Sequence, residues 1–402
     1  MTLAVVSALR EKHREFLTGF WTLLISVSLS FIAGIYLGSV NEVLLLIPGL
    51  MVLVTPSINM RGAIAGILTS RLSSSMHLGA FEVDFKRNSE LGDNLRSSLI
   101  LTVVISAALA IFGKIICLLT GTEVIGIAEM IIISVISGTL AGILVTVVGV
   151  LVSIICYRKF WDLDMVGAPA VTTIGDIVTL PFLVITAIIV MGMPFVGKAI
   201  LGLVVLVLIL WAFVSFKRGT RTMLDVLREG LPLLLPLSLL GITAGVLYTS
   251  QLDSLISAAA VLILISPFMN GCGSIGGILT SRIGTEMHMG MIDPVFFPQK
   301  TVLKHFGENY LYAVIFLPLM GLIAHFAALL LGITTPGLLL MVLISLLSGL
   351  LVVTAMNLLG YYTAVITYRK GFDPDNFGVP VVTSSIDLIG ATCLLAVMML
   401  LL

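Results

Sequence analysis

Residues 61–79 read RGAIAGILTSRLSSSMHLG, and residues 272–290 read CGSIGGILTSRIGTEMHMG. The segment ILTSR, a later Met-His pair and a glycine thus occur twice, each time after a proline. The two prolines, Pro56 and Pro267, are 267 − 56 = 211 positions apart, and the two copies of the motif keep the same separation. A fixed offset between similar segments indicates that the chain contains an internal repeat.

The repeat extends well beyond this motif, at one constant offset and without an insertion. A second block of matched residues lies further along each copy and ends in an aspartate. The matched pairs are Asn59 and Asn270, Gly62 and Gly273, Arg71 and Arg282, His77 and His288, Tyr157 and Tyr368, Asp162 and Asp373, Asp164 and Asp375, Gly167 and Gly378, Pro169 and Pro380, and Asp176 and Asp387. Two copies of one structural unit therefore make up most of the chain.

The composition of the chain is that of an integral membrane protein. Hydrophobic residues make up 59% of it and charged residues only 10%, with a mean hydropathy of +1.19, whereas soluble domains are about a quarter charged. The formal net charge is zero, so no basic surface for a nucleic-acid partner is expected. The four cysteines lie in apolar runs without metal-site spacing, which indicates packing residues. The lipid bilayer is the first predicted partner.

A helix that crosses a bilayer needs about 20 apolar residues, and eleven segments of the chain meet this requirement. They are residues 16–38, 43–70, 96–119, 125–156, 169–191, 194–216, 229–250, 254–281, 309–332, 337–367 and 380–402. Four of them, 43–70, 125–156 and their two repeat counterparts, are longer than a straight span. We expect tilting, or a break at Pro56 or Pro267, to absorb the excess.

The distribution of basic residues supports this division of the chain. Lys and Arg concentrate in the cytoplasmic loops of membrane proteins, and all 21 basic residues except Arg61, Lys114 and Lys198 fall in alternate connections. The predicted protein is a multi-pass protein of the cell membrane with a cytoplasmic N-terminus and its C-terminus outside. The polar segment at residues 10–15 precedes a full-length apolar run, so no cleavable signal peptide is expected.

The two repeats are expected to have the same orientation in the membrane. Each copy holds five spans, an odd number that would invert the second copy, but the run 194–216 has no counterpart and restores the orientation. The predicted fold is an all-α polytopic membrane protein with about 11 transmembrane helices. It consists of two parallel five-helix repeats and one linking helix, with a pseudo-two-fold axis along the membrane normal. The predicted boundaries are a short cytosolic N-terminus at 1–15, a first repeat at 16–192, a linking helix and cytosolic loop at 193–228, and a second repeat at 229–402.

Two acidic residues lie well inside predicted spans, and they are repeat mates. At about 1.5 Å per residue, Asp176 and Asp387 lie roughly 10 Å into the bilayer from Pro169 and Pro380. A carboxylate at this depth is costly unless it faces a partner, a cation or water. An axis between the repeats would pass through a pathway to which each copy contributes one such aspartate.

Neighbouring residues strengthen the interpretation of the aspartates as a cation site. Thr172 precedes the first aspartate by four positions and lies on the same helix face, and Thr383 has the same relation to the second. The alternative is that each carboxylate pairs with a basic residue of another helix. Arg61 is the single basic residue deep in a motif helix and its mate is Cys272, so this alternative accounts for at most one aspartate.

Two carboxylates with adjacent hydroxyls form a hard oxygen site with a formal charge of about −2. Mg²⁺ is often held by one or two carboxylates while it keeps several waters, and softer metals prefer His or Cys ligands, which are absent within a turn of these residues. The site therefore favours Mg²⁺ as the transported ion, with Mn²⁺ or Co²⁺ as further candidates. No bound cofactor is predicted.

The duplicated motif can contribute further oxygen ligands to such a pathway. Asn59 and Asn270 follow the prolines and are predicted to add amide oxygens. A proline and glycine break in a helix can free carbonyl groups to face water or an ion, and small residues can equally serve close helix packing. Both interpretations of the glycines stay open.

The polar residues at the end of the motif have a simpler explanation. Arg71 and Arg282 are expected to extend to the cytosolic interface along the membrane surface. His77 and His288 are interpreted as polar interface residues rather than metal ligands, because no second metal-type ligand recurs beside both of them.

The chain resembles a known family at these motifs. A proline and small residues followed by ILTSRLSSSMHLG, then Asp162, Asp164, Gly167 and Pro169, then VTTIGD ending in Asp176, are similar to the integral-membrane domain of MgtE-type magnesium channels. Two such domains in one chain resemble the magnesium transporters of solute carrier family 41 and their prokaryotic relatives. The resemblance implies a divalent-cation path at the interface of the two domains, with the fifth-helix aspartate, here Asp176 and Asp387, contributing to the ion site.

The sequence departs from that family in two respects. Ala63 and Ser274 stand where family members often have an asparagine after the motif glycine, so the role of that amide is not transferred. MgtE proteins also carry a cytosolic nucleotide- and magnesium-sensing region, whereas a short stub precedes the first span here, so the gate is expected to be absent or supplied by a partner.

The sequence leaves several alternatives open. A proton- or sodium-coupled transporter of another cation or small solute could use the same aspartates as coupling groups. A membrane enzyme is not expected, because the chain has no HExxH, no GxSxG and no phosphate-binding P-loop motif. Internal symmetry makes a monomer sufficient for one pathway, and a homodimer is left open.

Overall fold

The computed structural model describes the backbone of residues 2–77, 81–86, 89–159, 163–370 and 374–402, and the side chains of most of them. Among these residues the chain forms helices and no strand. The predictions that concern the side chains of His77, Asp162, Asp164, Gly167, Pro169, Asp373, Asp375, Gly378 and Pro380 lie outside the described residues.

The helices are long, as a chain with many membrane spans requires. Their bounds are α1 Thr2–Ser39, α2 Asn41–Leu46, α3 Leu50–His77, α4 Glu90–Thr120, α5 Ile127–Lys159, α6 Leu163–Gly192, α7 Phe195–Lys217, α8 Arg221–Ser250, α9 Leu252–Ser257, α10 Ala260–His288, α11 Lys300–Leu331, α12 Leu338–Arg369 and α13 Pro374–Leu401. In the described part of the chain, 11 helices are long and apolar enough to cross a membrane. The prediction of an all-α polytopic membrane protein is confirmed.

Two of the predicted spans begin later than expected. The first residues of the run 43–70 form the short helix α2, and a turn at Gly49 with a φ of 80° separates α2 from α3. This left-handed conformation ends a helix and suits glycine. The run 254–281 is divided in the same way between α9 and α10. Both helices continue through their prolines and are still longer than a straight span, with 28 residues in α3 and 29 in α10. A break at Pro56 or Pro267, one of the two ways expected to absorb the excess length, therefore does not occur.

The helices form two compact units in which the first helix of each sequence repeat has been exchanged. The first unit comprises residues 1–39 and 256–402, so that α1 packs against α10 and α11; we call it the α10 unit. The second comprises residues 40–255, so that α8 packs against α3 and α4; we call it the α3 unit. The predicted repeat boundaries stay a prediction about the sequence; they are 16–192, 193–228 and 229–402. The compact units have other bounds, because α1 and α8 each pack with the helices of the other repeat.

In each unit, a glycine of the exchanged helix and a proline of the motif helix allow the two helices to approach closely. Proline lacks an N–H, so Pro56 cannot bond the carbonyl of Val52 four residues earlier. Gly245 of α8 lies against that carbonyl oxygen, so closely that a Cβ on this glycine would overlap it. In the α10 unit, Gly34 of α1 lies in the same way against the carbonyl of Ile263, four residues before its proline.

These two contacts bear on one of the interpretations that the sequence left open. The carbonyls freed by the prolines could have faced water or an ion, but Val52 and Ile263 are fully buried and each carbonyl is covered by a glycine of the neighbouring helix. Such a close approach of two helices allows Cα–H···O contacts, which contribute about 0.5–1 kcal/mol each. The small residues on the exchanged helices therefore serve packing.

The interior of the two units shows the same hydrogen bonds at matched positions. A side-chain contact joins the two central helices of each repeat, and about two to three turns further along these helices a serine hydroxyl donates to the backbone of the preceding helix. The bonds are Ser98 to Thr146 at 3.4 Å and Asn309 to Asn357 at 2.8 Å, then Ser134 to the Ser106 carbonyl at 2.6 Å and Ser345 to the Leu317 carbonyl at 2.7 Å. Each pair of bonds is related by the offset of the sequence repeat, so both copies build the same local structure.

Two basic residues that depart from the charge alternation have local partners. The Lys114 ammonium donates to the carbonyls of Val124 and Ile125, at 3.4 and 3.1 Å. The Lys198 ammonium lies 3.3 Å from the Glu129 carboxylate, which joins α7 to α5. These contacts explain their positions without a change in the number of spans.

We predict that Gly245→Ala lowers the thermal stability of the purified protein by several degrees, because the added methyl group overlaps the Val52 carbonyl and separates α8 from α3. Gly66→Ala is the matched control, since nothing lies within 4 Å of a Cβ at Gly66 in the same unit. That change should be neutral or stabilising by up to about 1 kcal/mol, because alanine has the higher helix propensity. Equal melting temperatures for the two variants would contradict the packing described for α8.

Candidate functional site

The aspartate helices pack directly against the motif helices within each unit. In the α3 unit, α6 packs on α3 and α5, and a Cβ on Gly62 would lie 3.6 Å from the Cγ2 of Thr172. In the α10 unit, α13 packs on α10 and α12, and a Cβ on Gly273 would lie 3.6 Å from Ile386. The motif glycines thus lie where the two helices cross, one helical turn or less from the predicted ion ligands.

The two predicted aspartates differ in exposure. Asp387 is completely buried, with 0% of its surface exposed, whereas Asp176 is half-buried. Both lie inside helices that are apolar enough to cross a membrane. Carboxylates in such helices are rare and mark ion or proton pathways by default. Each aspartate thus lies within a helix of membrane-spanning length, Asp176 in the α3 unit and Asp387 in the α10 unit.

The threonines of the predicted face lie one turn before the aspartates. Thr172 and Thr383 are both half-buried, and the position four residues earlier on a helix shares the face of the aspartate. A third threonine, Thr179, donates its hydroxyl to the Gly175 carbonyl at 2.6 Å. Thr179 is therefore used within its own helix.

The two motif asparagines have different surroundings. The Asn270 amide oxygen accepts hydrogen bonds from Ser26 and Ser274, each at 3.3 Å, and its amide nitrogen donates to Ser30. This amide joins α1 to α10. Asn59 is half-buried and makes no hydrogen bond to another residue in the described part of the chain. The positions matched to the two serines of α1 are Leu237 and Gly241, which carry no hydroxyl.

The serines of α1 that bond Asn270 are neighbours of a predicted site residue that the sequence interpretation missed. Ser26 and Ser30 are four residues apart and so lie on one helix face. Two hydroxyls at this spacing in an apolar span were the available signal. Their significance depends on the exchange of α1 and α8, which the repeat pattern did not predict.

The arginines at the ends of the motif helices form ion pairs. Arg71 pairs with Glu229 of α8, and the Arg282 guanidinium lies 2.9 Å from Glu308 of α11. The interpretation of these arginines as residues that only extend to the interface is therefore incomplete. His288 bonds the Gly284 carbonyl at 2.8 Å and packs edge-on against Tyr368, as a polar interface residue does.

A further cluster of charged groups joins α10 to α11 in the second repeat. The His305 Nε2 lies 3.0 Å from the Glu286 carboxylate, and its Nδ1 lies 3.7 Å from Glu308. Asn94 and Ser97 occupy the positions in the first repeat that match His305 and Glu308. This cluster was not predicted because it is not repeated. Among the described residues, no group of three or more His, Cys, Asp or Glu could hold a metal ion.

We predict that Asn270→Ala destabilises the protein by about 1 kcal/mol or more, since it removes a partly buried amide that bonds three hydroxyl groups. Asn59→Ala is the matched control at the equivalent position of the first repeat and should leave the melting temperature within about one degree. Detergent-solubilised protein suffices for the measurement. A larger loss of stability in the Asn59 variant would refute the distinction between the two asparagines.

Comparisons with known proteins identify relatives that match most of the chain. The curated proteins similar to it include solute carrier family 41 member 3 of Mus musculus, which is 26% identical over 372 residues that cover 86% of this chain and 74% of the relative. Solute carrier family 41 member 3 of Rattus norvegicus is 25% identical over 379 residues, which cover 88% of this chain and 79% of the relative. The crystal structure of a eukaryotic MATE transporter aligns with a TM-score of only 0.32 at 13% identity, over 96% of each chain.

A family profile matches both repeats. The profile of MgtE, described as a divalent cation transporter, matches residues 54–186 and again residues 265–397. The two matches start 265 − 54 = 211 positions apart, which is the offset of the sequence repeat. Each match includes the motif helix and the aspartate of one repeat. The chain therefore belongs to the MgtE family of divalent cation transporters.

Proposed function

We propose that this protein carries Mg²⁺ in preference to other divalent cations, and that Asp176 and Asp387 hold the ion. The observation that supports this proposal most strongly is the complete burial of Asp387 in an apolar helix, at the position matched to Asp176 in the other repeat. The path is proposed to run between the two repeats, as their sequence symmetry suggests. The N-terminus is proposed to be cytoplasmic, because the basic residues follow that alternation.

The chemistry of the available ligands supports Mg²⁺ over softer metals. The aspartate helices offer carboxylate and hydroxyl oxygens at Asp176, Thr172, Asp387 and Thr383, and oxygen is the ligand that Mg²⁺ and Ca²⁺ prefer. The magnesium ion dehydrates reluctantly, so one or two carboxylates with retained waters suit it. Two carboxylates also repel anions and attract divalent ions more strongly than monovalent ions.

The asparagines are proposed to have different roles. Asn59 has an amide that is not bonded to another described side chain and remains available to an ion or its hydration water. The Asn270 amide oxygen already accepts two hydroxyl groups, so we assign Asn270 to the contact between α1 and α10. Asn59→Ala should therefore reduce the transport rate at a constant melting temperature.

The second candidate is a proton- or sodium-coupled transporter of another cation or small solute. The complete burial of Asp387 supports this alternative as well, since a carboxylate in an apolar helix can exchange a proton as part of a transport cycle. The two functions differ in what moves. The coupled transporter would acidify or load vesicles with sodium in the presence of its solute and would not respond to Mg²⁺.

The test is Mg²⁺ uptake into proteoliposomes that contain the purified chain, driven by a membrane potential without a proton or sodium gradient. We predict uptake by the wild type, a decrease of about tenfold or more in Asp387→Asn and in Asp176→Asn, and no uptake above background when both are changed. A hydrogen bond to a charged group contributes about 1.5–3 kcal/mol, and the loss of one interaction of this size corresponds to a decrease of about tenfold or more.

Asp253→Asn is the control for the loss of one acidic residue, because Asp253 is exposed on the short helix α9. This variant should transport at the wild-type rate. Unchanged uptake in Asp387→Asn would remove the site assignment. Uptake that appears only with a proton or sodium gradient would favour the coupled transporter.

A further inference from the structure

Arg61 is the basic side chain that the charge alternation and the proposed ion site leave unexplained. It lies inside the motif helix α3 and is only 2% exposed. Its Nη1 donates to the Thr102 hydroxyl of α4 at 3.2 Å. A Cβ on Gly142 of α5 would lie 2.9 Å from Nη1, and a Cβ on Gly138 would lie 3.0 Å from Nη2. The guanidinium is thus closely packed against two glycines one turn apart.

The charge of this guanidinium is not balanced by an adjacent carboxylate. Among the described side chains, no Asp or Glu oxygen lies within 4.0 Å of Arg61, and its Nε has no hydrogen-bond partner. Arginine keeps its proton even in apolar surroundings, and a buried charge without a partner is strongly destabilising. Such a residue in a membrane span indicates a functional role.

The second repeat shows what this position looks like without a charge. The residue matched to Arg61 is Cys272, and the residues around it change together. Thr102, Ser106 and Gly142 correspond to Ala313, Leu317 and Val353. Leu317 lies against Gly349 where Ser106 lies against Gly138, so apolar side chains fill the space in the α10 unit. One repeat therefore keeps a buried cation in a niche of hydroxyls and glycines, and the other has an apolar core.

The stem of Arg61 lies at the crossing with the aspartate helix. Its Cγ would be 3.7 Å from a Cβ on Gly175, the residue before Asp176. The stem of Arg61 therefore contacts α6 at the residue next to Asp176, on two helices that pack directly against each other. Charges on helices packed within a membrane span interact over longer distances than charges in water, because the effective dielectric constant is lower.

We propose that Arg61 is the internal counter-charge of Asp176 and sets the affinity of the first repeat for the transported cation. A fixed positive charge repels a divalent ion twice as strongly as a monovalent ion at the same place. It therefore weakens binding at Asp176 relative to Asp387, whose repeat has a thiol at the matched position. A weaker half allows the ion to leave, since conduction requires binding that is favourable but not too tight. This inference rests on the proposed function.

The experiment compares Mg²⁺ binding and uptake between the wild type and three variants of the full chain. The first variant, Arg61→Cys with Thr102→Ala, Ser106→Leu and Gly142→Val, copies the niche of the second repeat and removes the charge without leaving a cavity. The second, Arg61→Cys alone, removes the charge with fewer changes. The matched control is Arg61→Lys, which retains a cationic group without the guanidinium shape. All forms are compared at about pH 6, because the lower pH favours the charged form of a buried lysine.

We expect the Kd of Mg²⁺, measured by calorimetry in detergent, to fall about tenfold or more in both charge-free variants and to stay within about threefold of the wild type in Arg61→Lys. Uptake into proteoliposomes should show a lower KM together with a lower maximal rate, because a tighter ion leaves more slowly. If the role of Arg61 were purely structural, its replacement would weaken Mg²⁺ binding or leave it unchanged. Arg61→Lys would then not restore the Kd of the wild type.

Two results would overturn the proposal. The first is a charge-free variant that is folded, as judged by its melting temperature and its elution as a single species, and that binds Mg²⁺ no more tightly than the wild type. The second is an equal change of the Kd in Arg61→Lys and Arg61→Cys. A wild type that binds no divalent cation, or whose binding is indifferent to Asp387→Asn, would instead refute the proposed function itself.

Discussion

Both units depend on the contact between a glycine and the backbone carbonyl that a proline four residues later leaves without a donor. In a bilayer each backbone polar group must be satisfied within the protein, and Pro56 and Pro267 leave one carbonyl each without its usual donor. Gly245 and Gly34 cover those carbonyls from α8 and α1, so each motif helix is completed by the first helix of the other sequence repeat. Any side chain larger than a hydrogen atom would separate the helices and expose the carbonyl. The duplication is therefore retained in the fold as two similar units that have exchanged their first helices, α1 and α8.

Much of the fold follows from the sequence because the two strongest signals are independent of tertiary contacts. Hydrophobic run length predicts the eleven spans, and the constant offset predicts that helices such as α4 and α11 are equivalent. The exchange of α1 and α8 could not be predicted, since it depends on which helix faces fit together rather than on periodicity. The start of α3 was also missed, because the turn at Gly49 depends on a backbone conformation that an apolar run conceals. For the site, burial in an apolar span was enough to select Asp176 and Asp387, whereas the different surroundings of Asn59 and Asn270 depend on serines of an exchanged helix.

The differences between the repeats are as informative as their similarity. Matched hydrogen bonds at Ser134 and Ser345 hold the same helix pairs together in both units. Against this common framework, Arg61 and its niche occur once, and so does the cluster of Glu286, His305 and Glu308. A duplicated transporter is free to change one copy while the other keeps the original ligand, so the two halves of the site need not bind the ion equally. The buried guanidinium of Arg61, matched by the Cys272 thiol, is one such electrostatic difference inside a membrane span.

The central claim, that a divalent cation binds at Asp176 and Asp387, is tested most directly by locating the ion. Mn²⁺ is a close substitute for Mg²⁺ with an anomalous X-ray signal, so crystals grown with Mn²⁺ reveal its position without reference to transport. We predict an anomalous peak about 2 Å from a carboxylate oxygen of Asp387 or Asp176, or about 4 Å away if a retained water lies between them. A peak that occurs only at the cluster of Glu286, His305 and Glu308, or no peak near either aspartate at saturating Mn²⁺, would contradict the account.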